Sequence, residues 1–167
     1  NLETAVDRWH IACNTAPTLA LELTATLTNS PITKVYDGTN SAPGGFTPTY
    51  SITGYLSGDS AAVLTNTGST YNDAHVLAAT TLTTNGLAIA SLTSASFSSV
   101  ASDYSVNSSA SHAATITPAT LTASLTNSPI TKVYDGNTNA PGGFTPTYSF
   151  TGLITGDTSA TLTHSGS

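Results

Sequence analysis

The two lysines of this 167-residue chain, Lys34 and Lys132, are the side chains with the clearest capacity for chemistry. Each lies in the same hexapeptide, TKVYDG, at residues 33–38 and again at 131–136. Alternation along a strand places Ile32, Lys34 and Tyr36 on one face and Thr33, Val35 and Asp37 on the other. Gly38 permits a positive φ angle, and Asp37 can accept hydrogen bonds from a turn backbone. The hexapeptide therefore predicts a strand ending in a turn, with the Lys34 stem along Tyr36 and its ammonium near a carboxylate.

A second chemistry open to Lys34 is an intramolecular isopeptide bond with an asparagine. That reaction needs a buried lysine, a facing asparagine amide and a carboxylate that relays protons. Asn85 and Asn107 are conceivable partners, and Asp37, Asp73 and Asp103 are conceivable relays. No spacing selects among them. A threonine–glutamine ester link is excluded because the chain contains no glutamine.

Two further aspartates mark a second repeated pattern. Asp59 in SGDS and Asp157 in TGDT are both predicted to be turn residues. A calcium site needs several converging oxygen ligands, and the sequence contains no D-x-D-x-D run. We therefore predict no metal ligand and no cofactor, with calcium near a domain junction as the open alternative.

Sequence patterns of catalytic sites are also absent. The four histidines are scattered, and the chain has no G-x-S-x-G, no H-E-x-x-H and no glycine-rich phosphate loop. His75 follows Asp73 by two residues, but among 33 threonines and 22 serines a Ser–His–Asp grouping arises easily by chance. We therefore predict that the protein is not an enzyme.

Composition favours a β protein. Threonine, valine, tyrosine and isoleucine suit pleated, half-buried surfaces. Only 7% of residues are charged, the net charge is −6, and three basic residues cannot neutralise a phosphate backbone. The apolar runs are far shorter than the roughly 20 residues needed to span a bilayer. These features exclude nucleic-acid binding and a membrane span, and abundant threonine and serine with a single cysteine is typical of bacterial surface proteins.

The chain repeats itself at an offset of 98 residues. Residues 23–69 align without a gap with residues 121–167, and 34 of the 47 positions are identical. A period of this length suits a tandem domain rather than a solenoid unit. We predict a non-repeat segment at 1–19, a first repeat at 20–117 and a partial second repeat at 118–167. Either the chain is a fragment of a longer array, which we favour, or another chain supplies the missing strands.

Period-two alternation predicts the strands of each repeat. In LALELTATLT the leucines at 19, 21, 23 and 27 alternate with smaller or polar residues, and FTPTYSITG at 46–54 alternates in the same way. Further strands are predicted at 61–66, 74–83, 87–92, 104–107 and 113–117, separated by turn sequences. Seven or more short strands in about 98 residues predict an all-β fold of tandem immunoglobulin-like β-sandwich repeats, the second incomplete. At the amino terminus, NLETAVDRWHIA predicts a short helix.

The repeated motifs resemble the YDG-type repeat of filamentous-haemagglutinin-like bacterial adhesins. The similarity lies in TKVYDGTN followed by ITGYLSGDS and in TKVYDGNT followed by FTGLITGDT. The repeat signature comprises ten residues with a structural role, Lys34, Tyr36, Asp37, Gly38, Asp59, Lys132, Tyr134, Asp135, Gly136 and Asp157. The resemblance implies Ig-like sandwich repeats, display outside the cell or on its surface, and no catalytic residues.

Three functions follow as hypotheses. The first is a structural stalk of an extracellular adhesin or matrix fibre, whose partners are neighbouring repeats, identical chains, and a host or matrix glycan or protein receptor. The second is a self-assembling filament subunit completed by strand exchange between chains. The third is a carbohydrate-binding module, motivated by four tyrosines near predicted turns, Tyr50, Tyr55, Tyr71 and Tyr148.

Overall fold

A computed structural model describes residues 20–95 and 99–163. The predicted helix in NLETAVDRWHIA lies outside the described residues. The described chain is all-β, and its helical content is one short 3₁₀ helix, Ala101–Asp103. The strands in chain order are β1 Leu21–Leu27, β2 Thr33–Val35, β3 Tyr50–Thr53, β4 Asp59–Thr65, β5 Gly68–Tyr71, β6 Thr81–Asn85, β7 Ala88–Ser94, β8 Tyr104–Val106, β9 Ser109–Ala113, β10 Thr115–Thr117, β11 Thr122–Leu125 and β12 Tyr148–Thr151.

These strands form several small sheets of two or three strands each. The described residues fall into two compact units. The first unit comprises residues up to 30 together with 46–69 and 83–112, and the second comprises 31–45, 70–82 and the residues from 113 onwards. Strands β5, β6 and β9 form a three-stranded sheet in that order. The predicted domain division at 19/20 and 117/118 stays a prediction.

In the first unit, β1 is the central strand of a three-stranded sheet. It pairs antiparallel with β3, with Ala25 opposite Ile52, and parallel with β8, with Leu21 opposite Tyr104. Strand β4 pairs antiparallel with β7. Buried apolar side chains of this unit are Leu23, Ala25, Leu27, Leu87, Tyr104 and Ala110. The alternation predicted for β1 is confirmed, because 23, 25 and 27 are buried and the residues between them are exposed.

In the second unit, β2 pairs parallel with β10, and β11 pairs antiparallel with β12. Its buried apolar side chains are Ile32, Tyr71, Ala79, Leu82, Ala114 and Ile116. The β11–β12 register places Ala123 opposite Phe150 and Leu125 opposite Tyr148. Each of these pairs lies 98 residues after a β1–β3 pair. The antiparallel strand pairing therefore repeats in the same register as the sequence.

One strand prediction is wrong in most of its length. Residues 74–83 were expected to be extended, but only their last part belongs to β6, Thr81–Asn85. The Asn72 side chain explains the difference, because its Oδ1 accepts hydrogen bonds from Thr80 N and Thr81 N and its Nδ2 donates to Ala78 O. These bonds close a loop over 73–80, where alternation of apolar residues alone would favour a strand.

Among the residues described, no helix is long and apolar enough to cross a membrane.

Candidate functional site

The first TKVYDG hexapeptide forms a strand and a closed turn. Ile32 is buried, Lys34 and Tyr36 are half-buried, and the residues between them are exposed, which confirms the predicted alternation. Strand β2 ends at Val35, and Gly38 has a φ of 78°. A residue with a side chain is strained in this left-handed region, so the glycine is required by the turn.

The Lys34 ammonium lies inside this turn. Its Nζ donates to Asp37 Oδ1 at 2.7 Å, to Thr39 O at 2.8 Å and to Thr39 Oγ1 at 3.0 Å. The Lys34 side chain is only 6% exposed, and its Nζ lies 5.6 Å from the centre of the Tyr71 ring. The predicted carboxylate is therefore Asp37, and the aromatic ring that faces the ammonium is that of Tyr71. Three bonds use all three donors of an ammonium group.

Asp37 is the acceptor that organises the turn. Besides the Lys34 ammonium, its Oδ1 accepts the Thr39 N–H at 2.9 Å and the Thr39 hydroxyl at 2.9 Å. These bonds, led by that from Lys34, lower the pKa of Asp37 to about 2. Burial, with the negative charge of Asp37 as the second cause, raises the pKa of Tyr71. Both groups therefore hold their charge states throughout the neutral range.

This geometry favours the ion pair over the isopeptide bond for Lys34. An isopeptide bond needs the Lys34 Nζ to face an asparagine amide, whereas its three donors are used by Asp37 Oδ1, Thr39 O and Thr39 Oγ1. The Asn107 side chain, one of the two conceivable partners, is engaged elsewhere. Ala25 N donates to its Oδ1 at 2.6 Å, and its Nδ2 donates to Ala25 O at 3.1 Å.

The second hexapeptide forms the same turn, with a different residue immediately after it. Lys132 Nζ lies 2.8 Å from Asp135 Oδ1 and donates to Asn137 Oδ1 at 2.9 Å and to Asn139 O at 2.8 Å. Asn137 replaces Thr39, and the hydrogen bond from Lys132 is the main cause that lowers the pKa of Asp135. Gly136 has a φ of 80°. The turn therefore forms in both copies, although residues 131–133 are not a strand in the second.

Asp59 makes a contact that its sequence context does not reveal. It lies in the predicted turn, where its N–H donates to Leu56 O at 3.0 Å. Its buried Oδ2 accepts a hydrogen bond from the Tyr104 hydroxyl at 2.6 Å, and Leu56 N donates to that hydroxyl at 3.0 Å. Hydrogen bonds from Ser94 and then Tyr104 lower the pKa of Asp59, and the bond to Asp59 raises the pKa of Tyr104. Tyr104 was predicted only as a strand residue, and its partner lies 45 positions away.

Asp157 repeats the turn of Asp59. Its N–H donates to Ile154 O at 2.9 Å, the counterpart of the Asp59–Leu56 bond. The glycine five residues before each aspartate is also in the same environment. A Cβ on Gly54 would lie 2.6 Å from Glu22 O, and a Cβ on Gly152 would lie 2.5 Å from Thr120 O.

Within the second unit, the YDG turn of the first repeat lies beside the TGD turn of the second repeat. Tyr36 from the first YDG turn lines a cavity of about 250 Å³ together with Leu121, Ile154 and Asp157 from the second repeat. Pro118, at the predicted junction, lines the same cavity. A Cβ on Gly38 would lie 3.2 Å from Ile154 Cγ2, so the turn backbone itself packs against the second repeat.

The other candidate groups do not form a site in the described residues. No three histidine, cysteine or acidic side chains come together within residues 20–95 and 99–163. His75 pairs with Asp73, Nδ1 to Oδ1 at 2.8 Å, on an exposed loop. The backbone N–H of His75 is the main cause that lowers the pKa of Asp73.

Taken together, the fold and the site define an all-β repeat domain stabilised by hydrogen-bonded turns. A family model, the YDG domain, matches residues 19–112, and the chain belongs to this family. No curated protein matches the chain. No solved structure matches it either.

Proposed function

We propose that the chain is a structural stalk or spacer of an extracellular bacterial adhesin or matrix fibre. In this proposal the repeats are tandem immunoglobulin-like β-sandwiches of about 98 residues that act at the cell surface or in the surrounding matrix. Their partners are neighbouring repeats, identical chains, and a glycan or protein receptor at the end of the fibre. The protein catalyses no reaction and binds no cofactor.

The observation that carries the proposal is the contact between the first YDG turn and the second repeat. A spacer must resist bending, and bending is resisted where rigid elements pack at a junction. The YDG turn is rigid because Asp37 binds both the Lys34 ammonium and the Thr39 backbone. It lies against Ile154, beside a linker of only a few residues that contains Pro118.

The four tyrosines that motivated the carbohydrate-binding alternative favour the spacer instead. A sugar-binding platform needs exposed rings that lie flat to solvent. Tyr71 is buried, and its hydroxyl donates to Thr115 O at 3.3 Å. The Tyr55 hydroxyl accepts the Ala62 N–H at 2.8 Å, and Tyr50 and Tyr148 are half-buried in paired strands. These rings serve packing, where aromatic side chains contribute a large apolar area.

The proposal is tested by loosening the junction. Ile154→Asp places a charge where the side chain meets the Gly38 turn, and we expect it to broaden the distribution of distances between spin labels at Ser41 of the first repeat and Ser149 of the second, which lie in the same compact unit. Leu162→Asp is the matched control, because Leu162 is a partly exposed aliphatic residue of the same repeat. A distance distribution that is already broad in the unmodified protein, or unchanged in Ile154→Asp, would contradict the spacer role.

A further inference from the structure

Asn85 is the one asparagine in the sequence that a glycine follows. It is the last residue of β6, it is exposed, and Gly86 has a φ of 62°. Because a glycine has no β-carbon, its backbone nitrogen is open to approach by the preceding side chain. The pair therefore carries a nucleophile, Gly86 N, and an amide carbon, Asn85 Cγ, that close a five-membered ring when they join.

The Asn85 side-chain amide is not held by the turn. In the part of the chain that the structure describes, neither this amide nor Gly86 N has a hydrogen-bond partner. By contrast, the side-chain amides of Asn29, Asn72 and Asn107 each bind backbone groups through both of their polar atoms. Asn85 thus keeps the side-chain rotation that ring closure requires.

Thr67 donates two hydrogen bonds to the peptide group that contains this nucleophile. Its N–H donates to Asn85 O at 2.9 Å, and its hydroxyl donates to the same oxygen at 3.1 Å. When Gly86 N loses its proton, the negative charge is shared with Asn85 O, and hydrogen bonds to a charged form favour that form. Thr67 therefore makes the Gly86 N–H more acidic and the nucleophile easier to form.

The contacts around the pair fix the Thr67 donors in place. A Cβ on Gly86 would lie 2.5 Å from both Thr67 Cγ2 and Thr67 Oγ1, so the threonine fills the space beside the glycine. Thr84 and Leu87, which flank the pair, are buried at 0% and 7% exposure. The two donors thus point at Asn85 O before any charge develops on it, which is the condition under which such donors promote a reaction.

The Asp–Gly pairs of the two hexapeptides do not share this arrangement. The Asp37 carboxylate accepts hydrogen bonds from the Lys34 ammonium and from Thr39 N. Asp135 likewise lies 2.8 Å from the Lys132 ammonium. An ionised carboxylate has no neutral leaving group, so these aspartates resist attack by the glycine nitrogen that follows them. Ring closure is therefore expected at Asn85 alone among these pairs.

We propose that Asn85–Gly86 is a site of spontaneous deamidation, with Thr67 as the positioning residue that promotes it. Gly86 N gives its proton to hydroxide and forms a bond to Asn85 Cγ. The Cγ–Nδ2 bond breaks, and Nδ2 takes a proton from water and leaves as ammonia. Water then opens the ring at Cγ to give aspartate, or at the backbone carbonyl to give isoaspartate. Water is the co-reactant, and nothing is oxidised or reduced.

Both products change the turn between β6 and β7. Each adds one negative charge where the chain had a neutral amide. Isoaspartate also lengthens the main chain by one methylene group and moves the carbonyl oxygen that Thr67 binds. We expect the modified chain to unfold at a lower urea concentration than the unmodified one. The site is independent of the stalk role, because it depends on this turn alone.

The test incubates the folded full chain at neutral and mildly alkaline pH and maps its peptic peptides by mass spectrometry. We expect a gain of about 1 Da, confined to the peptide that contains Asn85, since an amide is exchanged for an acid. Electron-transfer fragmentation identifies the isoaspartate. Asn40, which is exposed and precedes Ser41, is the internal control and should be unchanged over the same period.

Variants at Thr67 test its role. Thr67→Val removes the hydroxyl and keeps the branched shape, and it should slow the reaction in the folded chain by about fivefold or more. Thr67→Ser should restore the rate, and Thr67→Ala is a second variant that lacks the hydroxyl. In urea, where the hydrogen bonds are lost, all four chains should react at equal rates.

The sign of the effect separates this role from a structural one. If Thr67 only held the turn rigid, its loss would free Asn85 and speed the reaction. Faster deamidation in folded Thr67→Val, or a rate equal to that of the unmodified sequence, would therefore overturn the proposal. An unchanged mass at Asn85 in the folded chain would overturn it as well.

Discussion

Leu27 and Leu125 offer a comparison in which sequence context is held almost constant. The two lie at corresponding positions of TATLTNSP and TASLTNSP, yet Leu27 is 1% exposed and Leu125 is 48% exposed. Replacing a buried leucine by alanine removes its transfer free energy and leaves a cavity, at a cost of about 2–5 kcal/mol in the free energy of unfolding. For Leu125 half of the side chain is already in water and no closed cavity forms. We expect Leu125→Ala to cost at most about 1 kcal/mol.

Urea unfolding followed by far-ultraviolet circular dichroism measures the first effect. With a slope of about 2 kcal/mol per molar urea, Leu27→Ala should lower the midpoint by roughly 1–2.5 M. Hydrogen exchange of the β1 and β11 amides shows which of the two strand pairs, β1–β3 or β11–β12, loses stability in each variant. Equal losses in the two variants would refute the reasoning, because they would mean that both leucines lie in equivalent environments.

Three further outcomes are expected. Asp37→Asn should remove about 0.5–1 kcal/mol at neutral pH, because the ion pair with Lys34 is partly exposed. Since the pKa of Asp37 is lowered from 3.8 to about 2, this stabilisation is fully present above pH 4 and is lost as the pH falls through about 2. Gly54→Ala should destabilise the chain by more than about 1 kcal/mol, because its φ of 101° is strained for alanine and its Cβ would meet a backbone oxygen. Tyr104→Phe should lower the urea midpoint and weaken the acid dependence that Asp59 contributes.

Each of these changes has a control within the chain. Glu22→Gln removes the same charge as Asp37→Asn from an exposed strand position. Gly44→Ala adds a methyl group where no atom lies within 4 Å. Tyr134→Phe removes a hydroxyl from a ring that is 92% exposed. If the urea midpoint falls as far in a control as in its matched variant, the specific contact is contradicted. If Tyr104→Phe leaves the stability unchanged, the role of the hydrogen bond to Asp59 is contradicted.

The sequence alone determined the features that depend on neighbours a few residues apart. Lys34 and Asp37 are three positions apart and Asp37 and Thr39 are two, so the turn closes on itself wherever the hexapeptide occurs. Its second copy shows this, since Lys132 and Asp135 pair without a flanking strand at 131–133. The strand predicted at 74–83 is wrong because of a local side chain as well. Asn72 accepts hydrogen bonds from Thr80 N and Thr81 N and closes a loop, although apolar residues alternate along this segment.

Only the tertiary structure decided which of these elements are buried and what they contact. The Tyr104–Asp59 bond joins residues 45 positions apart, and the Asn107–Ala25 bonds join residues 82 apart. Parallel pairing of β1 with β8 and of β2 with β10 brings these groups together, and no local pattern encodes such pairing. Leu27 and Leu125 have nearly the same neighbours in sequence, but Leu27 is buried and Leu125 is half exposed, so their burial depends on contacts beyond the local sequence. A repeat therefore carries its turns within itself, whereas its parallel strand partners and its buried side chains are decided by the fold as a whole.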